Sequence, residues 1–384
     1  MPRKIILLLD GTANALTANT TNLPRLYRVL ERNEDQLVYY DPGVGTFEEG
    51  TSFLRGWRRF KEVLGMATGY GLEHNVKEAY SYLCQTVGDA DEITDDIYLM
   101  GFSRGAHTAR VLAGMIHQIG LLRPDQMHLV GYAYDAYRRI SNVRRKGSSA
   151  SEAFESVDAF TQHLKPREVP IRCVAVFDTV ASMLEIHGLR IRKRNSASTT
   201  NNPSVRSVRH AVAVDERRIM FEPRRWGDKQ EYWGGKFPPK KPEKQDVEEV
   251  WFSGVHADVG GGYPEAEAGL AKISLKWMIE QLEPMGVEVN KAAFKRYVLG
   301  AYKDDYVPPD PLGQIHNSMN FKWKILEYIP RKQNPYSRTP RKTVFGFYLP
   351  LSKPRYIPPG AKIHQSVFER PGTPPNIPDD HQRV

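Results

Sequence analysis

Cysteine is scarce in this sequence: Cys84 and Cys173 are the only two in 384 residues. Each falls inside an apolar pattern, where a small buried hydrophobe is the natural reading rather than half of a disulfide or metal pair. Long hydrophobic runs are missing too. No stretch approaches the ~18–20 uninterrupted apolar residues of a membrane-spanning helix. The opening MPRKIILLLDG has too short an apolar segment for a signal peptide and no small-residue cleavage site. The expectation is a cytoplasmic protein, or one exported without a cleaved signal peptide. Zinc-finger spacing, a basic zipper, an RNA-binding aromatic signature and internal repeats are also absent, so no nucleic-acid partner is expected.

What is present is an ordinary globular composition, 40% hydrophobic and 26% charged, with a formal net charge of +9. Strand-like and helix-like patterns alternate. Residues 4–9 and QLVYY at 36–40 read as strands. LEHNVKEAYSYLCQTV carries Leu72, Val76, Ala79, Tyr80, Leu83 and Val87 at helical spacing. DIYLMGF at 96–102 is a buried strand before a helix-forming stretch, and two more buried strands follow in IRCVAVFD (171–178) and EEVWFSG (248–254). The expected fold is α/β, with a mostly parallel sheet and helices on both faces. Residues 1–290 would form the catalytic domain, with 188–246 as a basic insertion or partial lid. Residues 291–384 would form a proline-rich extension packed on it, frayed at its end.

Gly101-Phe102-Ser103-Arg104-Gly105 is a G-x-S-x-G between a strand and a helix, the setting of a nucleophile elbow. A serine nucleophile needs a base, and the base an orienting acid. Asp178 ends a predicted strand, and His256 follows another in the glycine-rich GVHADVGGGY, giving the chain order Ser, Asp, His of an α/β-hydrolase. His210 and His364 are the rival bases, while His107, His117 and His187 have ordinary structural readings. Asp258 is a fallback acid or a carboxylate that fixes its loop. The opening LLDGT resembles the start of a dehalogenase-type phosphatase, but such an enzyme needs D-x-D-G-T and the first position here is Leu8. In a hydrolase the same turn donates a second oxyanion amide from Gly11 or Thr12, beside that of Arg104, with the Asp10 carboxylate accepting hydrogen bonds in the turn.

Taken with LLDGTAN, TNLPRL, YYDPGVGT, GYGLEHNVKEAY, VAVFDTVAS, HAVAVDERR and WFSGVHADVGGGY, the GFSRGA segment resembles one α/β-hydrolase family. It comprises domains of unassigned function together with type VI secretion phospholipase effectors. The resemblance spans residues 4–263 and implies a Ser-Asp-His hydrolase on the same three positions. For effector members it implies phospholipase activity on bacterial membranes; the large extra region through which some members engage them is not expected here.

The sequence thus predicts a serine esterase that cleaves an ester, plausibly of a lipid or phospholipid, with neither metal nor organic cofactor. An anionic membrane surface would be met through Arg190, Arg192, Lys193 and Arg194 of the basic insertion. Two other readings stay open: a metal-dependent phosphatase using Asp10, and a non-catalytic binding module on a hydrolase scaffold.

Overall fold

A computed structural model describes residues 2–11, 20–43, 70–88, 95–146, 150–180, 184–187, 190–193, 197–227, 229–302, 305–333, 339, 341–372 and 374–384. The strands of its central sheet are β1 Lys4–Leu9, β2 Gln36–Asp41, β3 Asp96–Phe102, β4 Ile171–Phe177, β5 Val205–Ala213, β6 Asp246–Phe252, β7 Ala361–Ile363 and β8 His381–Arg383. They lie in the order β8-β7-β6-β5-β4-β3-β1-β2, every neighbouring pair parallel. This is an α/β-hydrolase-like sheet.

Parallel strands covered on both faces read as continuous apolar runs, and all six residues of β1 are buried. Ile5, Leu7 and Leu9 point into a layer built by α2 Tyr70–Thr86, α3 Arg104–Ile119, α4 Val130–Lys146 and α5 Ala150–Leu164. Ile6 and Leu8 point the other way, to α1 Asn22–Val29 and α7 Gly269–Leu282. Between β6 and α7 lies the one-turn helix α6, His256–Gly260. Full burial of such a side chain contributes roughly 1.5–3 kcal/mol, more than the ~1 kcal/mol span of strand propensities, so the sheet is held by its two apolar faces.

Two parts of the chain differ from the sequence reading. The stretch 188–246 contains a central strand, β5, so only its flanks lie outside the sheet. Arg206, Arg209 and His210 interrupt the apolar pattern there, which hides the strand. Arg209 is buried because Asp246 and Gln281 take up its guanidinium, through Nη2 at 2.7 Å and Nε at 2.9 Å. The C-terminal stretch, expected to fray, instead adds β7 and β8 to the sheet edge: Trp251 pairs with Ile363, and Ile363 with Arg383. Across the start of the expected insertion, Leu184–His187 and Arg190–Lys193 pair as a two-stranded antiparallel ladder. Arg194 and Thr12 lie outside the described residues.

Candidate active site

The strand ends set the site. Ser103 follows β3 and adopts φ 57°, ψ −115°, a left-handed backbone that costs a non-glycine residue of order 1–3 kcal/mol. Both flanking glycines are required by close approach. A Cβ on Gly101 would sit 2.6 Å from Ala106 N, and one on Gly105 would sit 2.0 Å from Leu9 O. The G-x-S-x-G pattern thus lets the turn press against β1 while Ser103 stands at the head of α3.

Asp178 follows β4 and also has positive φ, 35°. His256 opens α6, its ring stacked on Phe102 at 4.7 Å between centroids and set edge-on to Phe221 at 4.9 Å. The three side chains meet: His256 Nε2 lies 2.8 Å from Ser103 Oγ, and His256 Nδ1 lies 2.6 Å from Asp178 Oδ2. An ionised carboxylate only accepts, so Nδ1–H donates to Asp178, and Nε2 of the neutral imidazole is left to accept from the serine hydroxyl. Burial holds the His256 imidazole below its ordinary range, against the opposing pull of Asp178.

Asp178 has a further partner that no local pattern announces. Arg355 donates from Nη1 to Oδ1 at 2.6 Å and from Nη2 to Oδ2 at 2.9 Å, a bidentate grip completed by the Ala213 amide on Oδ1 at 3.0 Å. Neither side chain sees much solvent, Asp178 none of it. Burial works against the charge, but Arg355 and then His256 outweigh it and hold the carboxyl far below the carboxylate range. Arg355 is itself fixed by the carbonyls of Ala213, at 2.8 Å, and Phe221. Glu216, buried beside the site, accepts from the His256 amide at 3.3 Å and from Arg218. Its pKa falls to about 2, because the bonds and charge of Arg218 overcome burial.

The turn after β1 lies against the elbow, where a Cβ on Gly11 would be 3.2 Å from Ser103 Cβ. Asp10 is buried and accepts from Gly11 N at 2.7 Å, Thr21 Oγ1 at 2.7 Å and Tyr40 Oη at 3.2 Å. Burial raises its pKa to about 6 despite those three bonds. The Gly11 amide is therefore already donating to a carboxylate. Arg104 Nε donates to Gly11 O at 2.8 Å and so ties the turn to α3. From the TNLP segment, Asn22 Nδ2 reaches Val259 O and Ala271 O, both at 3.0 Å, and anchors the helix that begins with His256.

Among the described residues no other titratable candidate bonds the Ser103 hydroxyl. His210 accepts from Thr179 N on Nε2 at 3.1 Å and pairs through Nδ1 with Glu249 at 2.8 Å, so both ring nitrogens are occupied away from Ser103. His364 bonds Ser366 through Nδ1 at 2.8 Å and stacks on Phe252. His107 is buried within α3 and His117 Nδ1 lies 2.8 Å from Ser204 Oγ. Asp258 accepts from the Val255 and His316 amides at 2.9 and 3.1 Å and pairs with His316 Nδ1 at 2.6 Å, which fixes its loop. Among the described residues no group of three or more His, Cys, Asp or Glu could hold a metal ion, and no helix is long and apolar enough to cross a membrane.

With the geometry in place, kinship can be read. The family model described as "T6SS, Phospholipase effector Tle1-like, catalytic domain" matches residues 3–281. The chain belongs to this family. Over 234 residues it is 32% identical to the uncharacterized protein YEL023C of Saccharomyces cerevisiae, covering 57% of this chain and 32% of that protein. Similar solved structures include an uncharacterized protein from Pseudomonas aeruginosa, with 17% identity and TM-score 0.38 over 75% of this chain and 46% of that one. A second is the Tle1 effector bound to the VgrG spike from the type 6 secretion system, with 18% identity and TM-score 0.31 over 70% of this chain and 53% of that one. The chain spans about a third of the yeast relative and about half of these two structures.

Proposed function

We propose that this Tle1-like chain is a serine hydrolase that cleaves acyl esters of phospholipids through an acyl-enzyme formed on Ser103. The observation that carries the reading is the continuous hydrogen-bonded line from Ser103 Oγ through the His256 ring to Asp178, with spacings of 2.8 and 2.6 Å. Ser103 Oγ attacks the ester carbonyl as its proton passes to His256 Nε2; Asp178 holds Nδ1–H and stabilises the imidazolium. His256 then protonates the departing alcohol. Water, deprotonated by the same nitrogen, releases the fatty acid. The oxyanion is assigned to the amide of Arg104 at the head of α3, where the helix dipole adds to the field, with the turn at Gly11 and Thr12 as the second donor. Because Asp10 already accepts from the Gly11 amide at 2.7 Å, that donor would be shared or released as the oxyanion forms.

The test is activity-based. A fluorophosphonate probe should label the wild-type chain and leave Ser103→Ala unlabelled, while a panel of phospholipids and simple esters identifies the bond cleaved. A folded wild-type chain that neither takes the probe nor hydrolyses any ester would sink the proposal.

A further inference from the structure

The charge of this molecule is concentrated. Residues 321–360 hold nine Lys and Arg against one acid, Glu327, so that +8 of the formal +9 falls in one tenth of the chain. Exposed apolar side chains concentrate in the same place. Among the described residues, fourteen large hydrophobic side chains are left exposed, and nine of them lie between Phe321 and Tyr356.

Their arrangement is ordered. The helix α8, Phe321–Glu327, turns Trp323 and Leu326 inward onto Ile219 and Met220. It turns Phe321 and Ile325 outward, with Tyr328 next along the same stripe at 68% exposure. The following hairpin pairs Arg331 with Tyr348 and Lys332 with Phe347, and its returning arm carries Val344 and Phe345, the latter 97% exposed. Lys324, Lys332, Lys342 and Lys353 are exposed around these side chains and form no ion pair among the described residues. Soluble proteins rarely leave a rimmed apolar patch of this kind uncovered without a partner.

We propose that the face built by α8 and the Val344–Phe347 arm docks on an anionic phospholipid bilayer, placing the head of α3 beside the lipid. The inference rests on the hydrolase reading above for its purpose, but not for its observations. Charge complementarity selects the occupant: unpaired lysines ringing aromatic and aliphatic side chains match an interface whose surface is negative and whose depth is apolar. Position supports it. Trp323, on the inward side of α8, meets Phe221 edge-on at 5.5 Å, and Phe221 meets the His256 ring at 4.9 Å. One aromatic ring therefore separates the docking helix from the candidate base. This face lies in the C-terminal part of the chain, beyond the residues matched by the family model.

The experiment uses the full chain carrying Ser103→Ala, so that binding is read without chemistry. It is sedimented with phosphatidylcholine vesicles and with phosphatidylcholine vesicles containing phosphatidylglycerol. The expected result is binding at least about tenfold stronger to the anionic vesicles, weakened by added salt. Adding Phe321→Ser, Ile325→Ser and Phe345→Ser together should lower that binding by at least about tenfold. The unfolding temperature should be unchanged, since these side chains are exposed. Equal binding with and without the three substitutions, or no binding to either vesicle, overturns the proposal. So does a dimer in sedimentation velocity that the three substitutions disperse, because the face would then belong to a second copy of the chain. Loss of ester hydrolysis by the wild-type chain would strike the hydrolase reading alone.

Discussion

The part of the chain matched by the family model and the part that follows it contribute to the site in opposite ways. Residues 3–281 supply most of the sheet and the three residues proposed to react: Ser103, Asp178 and His256 each follow directly on a buried strand or its short loop. The remainder has little regular structure and a small core around Ile357, Ala361, Ile363 and Val367, yet it reaches back with Arg355 to grip Asp178 across 177 residues. It also braces the His256 pocket through Trp323, which packs edge-on against Phe221 beside the His256 ring. The groups proposed to react are thus placed by strand ends, while the cation that grips Asp178 comes from a distant segment that looks like an appendage.

The sharpest way to break this division is to remove a reacting group. Ser103→Ala and His256→Ala should each lower kcat on an ester by roughly 10⁴–10⁶, and the double substitution should be no worse, because the pair acts as one unit. Turnover measured on folded variants decides it. Full additivity of the two losses would mean that His256 does not serve Ser103.

Next in size is Arg355. Arg355→Met leaves a buried carboxylate without its cation, at a cost of about 3–5 kcal/mol in urea unfolding. The pH dependence separates a positioning role from bulk packing. Asp178 is depressed in the folded state, so its stability contribution is complete above its unfolded pKa and disappears as pH falls through the folded value. Losing Arg355 shrinks that contribution, and acid unfolding should move to higher pH. With the competing cation gone, Asp178 acts more fully on the imidazole. The pKa of His256 should rise, and the acid limb of kcat/KM should shift upward with it. Arg355→Lys should restore part of both effects. An unchanged pH profile in folded Arg355→Met would reduce Arg355 to a structural residue.

Much of this division was legible in the sequence, for physical reasons. The runs KIILLL and DIYLMGF are buried on both sides, so their burial is written in consecutive residues. Gly101 is forced by the turn itself, where a Cβ would sit 2.6 Å from Ala106 N, and Gly105 by β1, where one would sit 2.0 Å from Leu9 O; both stand in one short motif, which makes the elbow readable. β5 was not readable, because Arg209 finds Asp246 and the His210 ring finds Glu249 on the neighbouring strand, and a one-dimensional pattern shows each polar residue without its partner. β7 and β8 are three residues each, too short to show alternation. Arg355 sits in KPRYIPP, where nothing nearby points to a carboxylate on another strand.

The smallest expected effect concerns His210, which competes with His256 on sequence grounds. Its Nε2 accepts from the Thr179 amide and its Nδ1 faces Glu249, so it supports the residue next to Asp178 rather than Ser103. His210→Leu would strand the Thr179 amide and one Glu249 contact in the interior, although Arg225 and the Trp226 amide still hold that carboxylate at 2.8 and 3.0 Å. The cost should be about 1–3 kcal/mol in urea unfolding, the range for a buried polar group left unpaired. Activity of the folded variant should fall only a few-fold, the share of Asp178 positioning that runs through Thr179. A stably folded His210→Leu chain that is silent toward esters, beside an active His256→Ala, would transfer the base to β5 and erase the distinction between reacting and supporting residues drawn above.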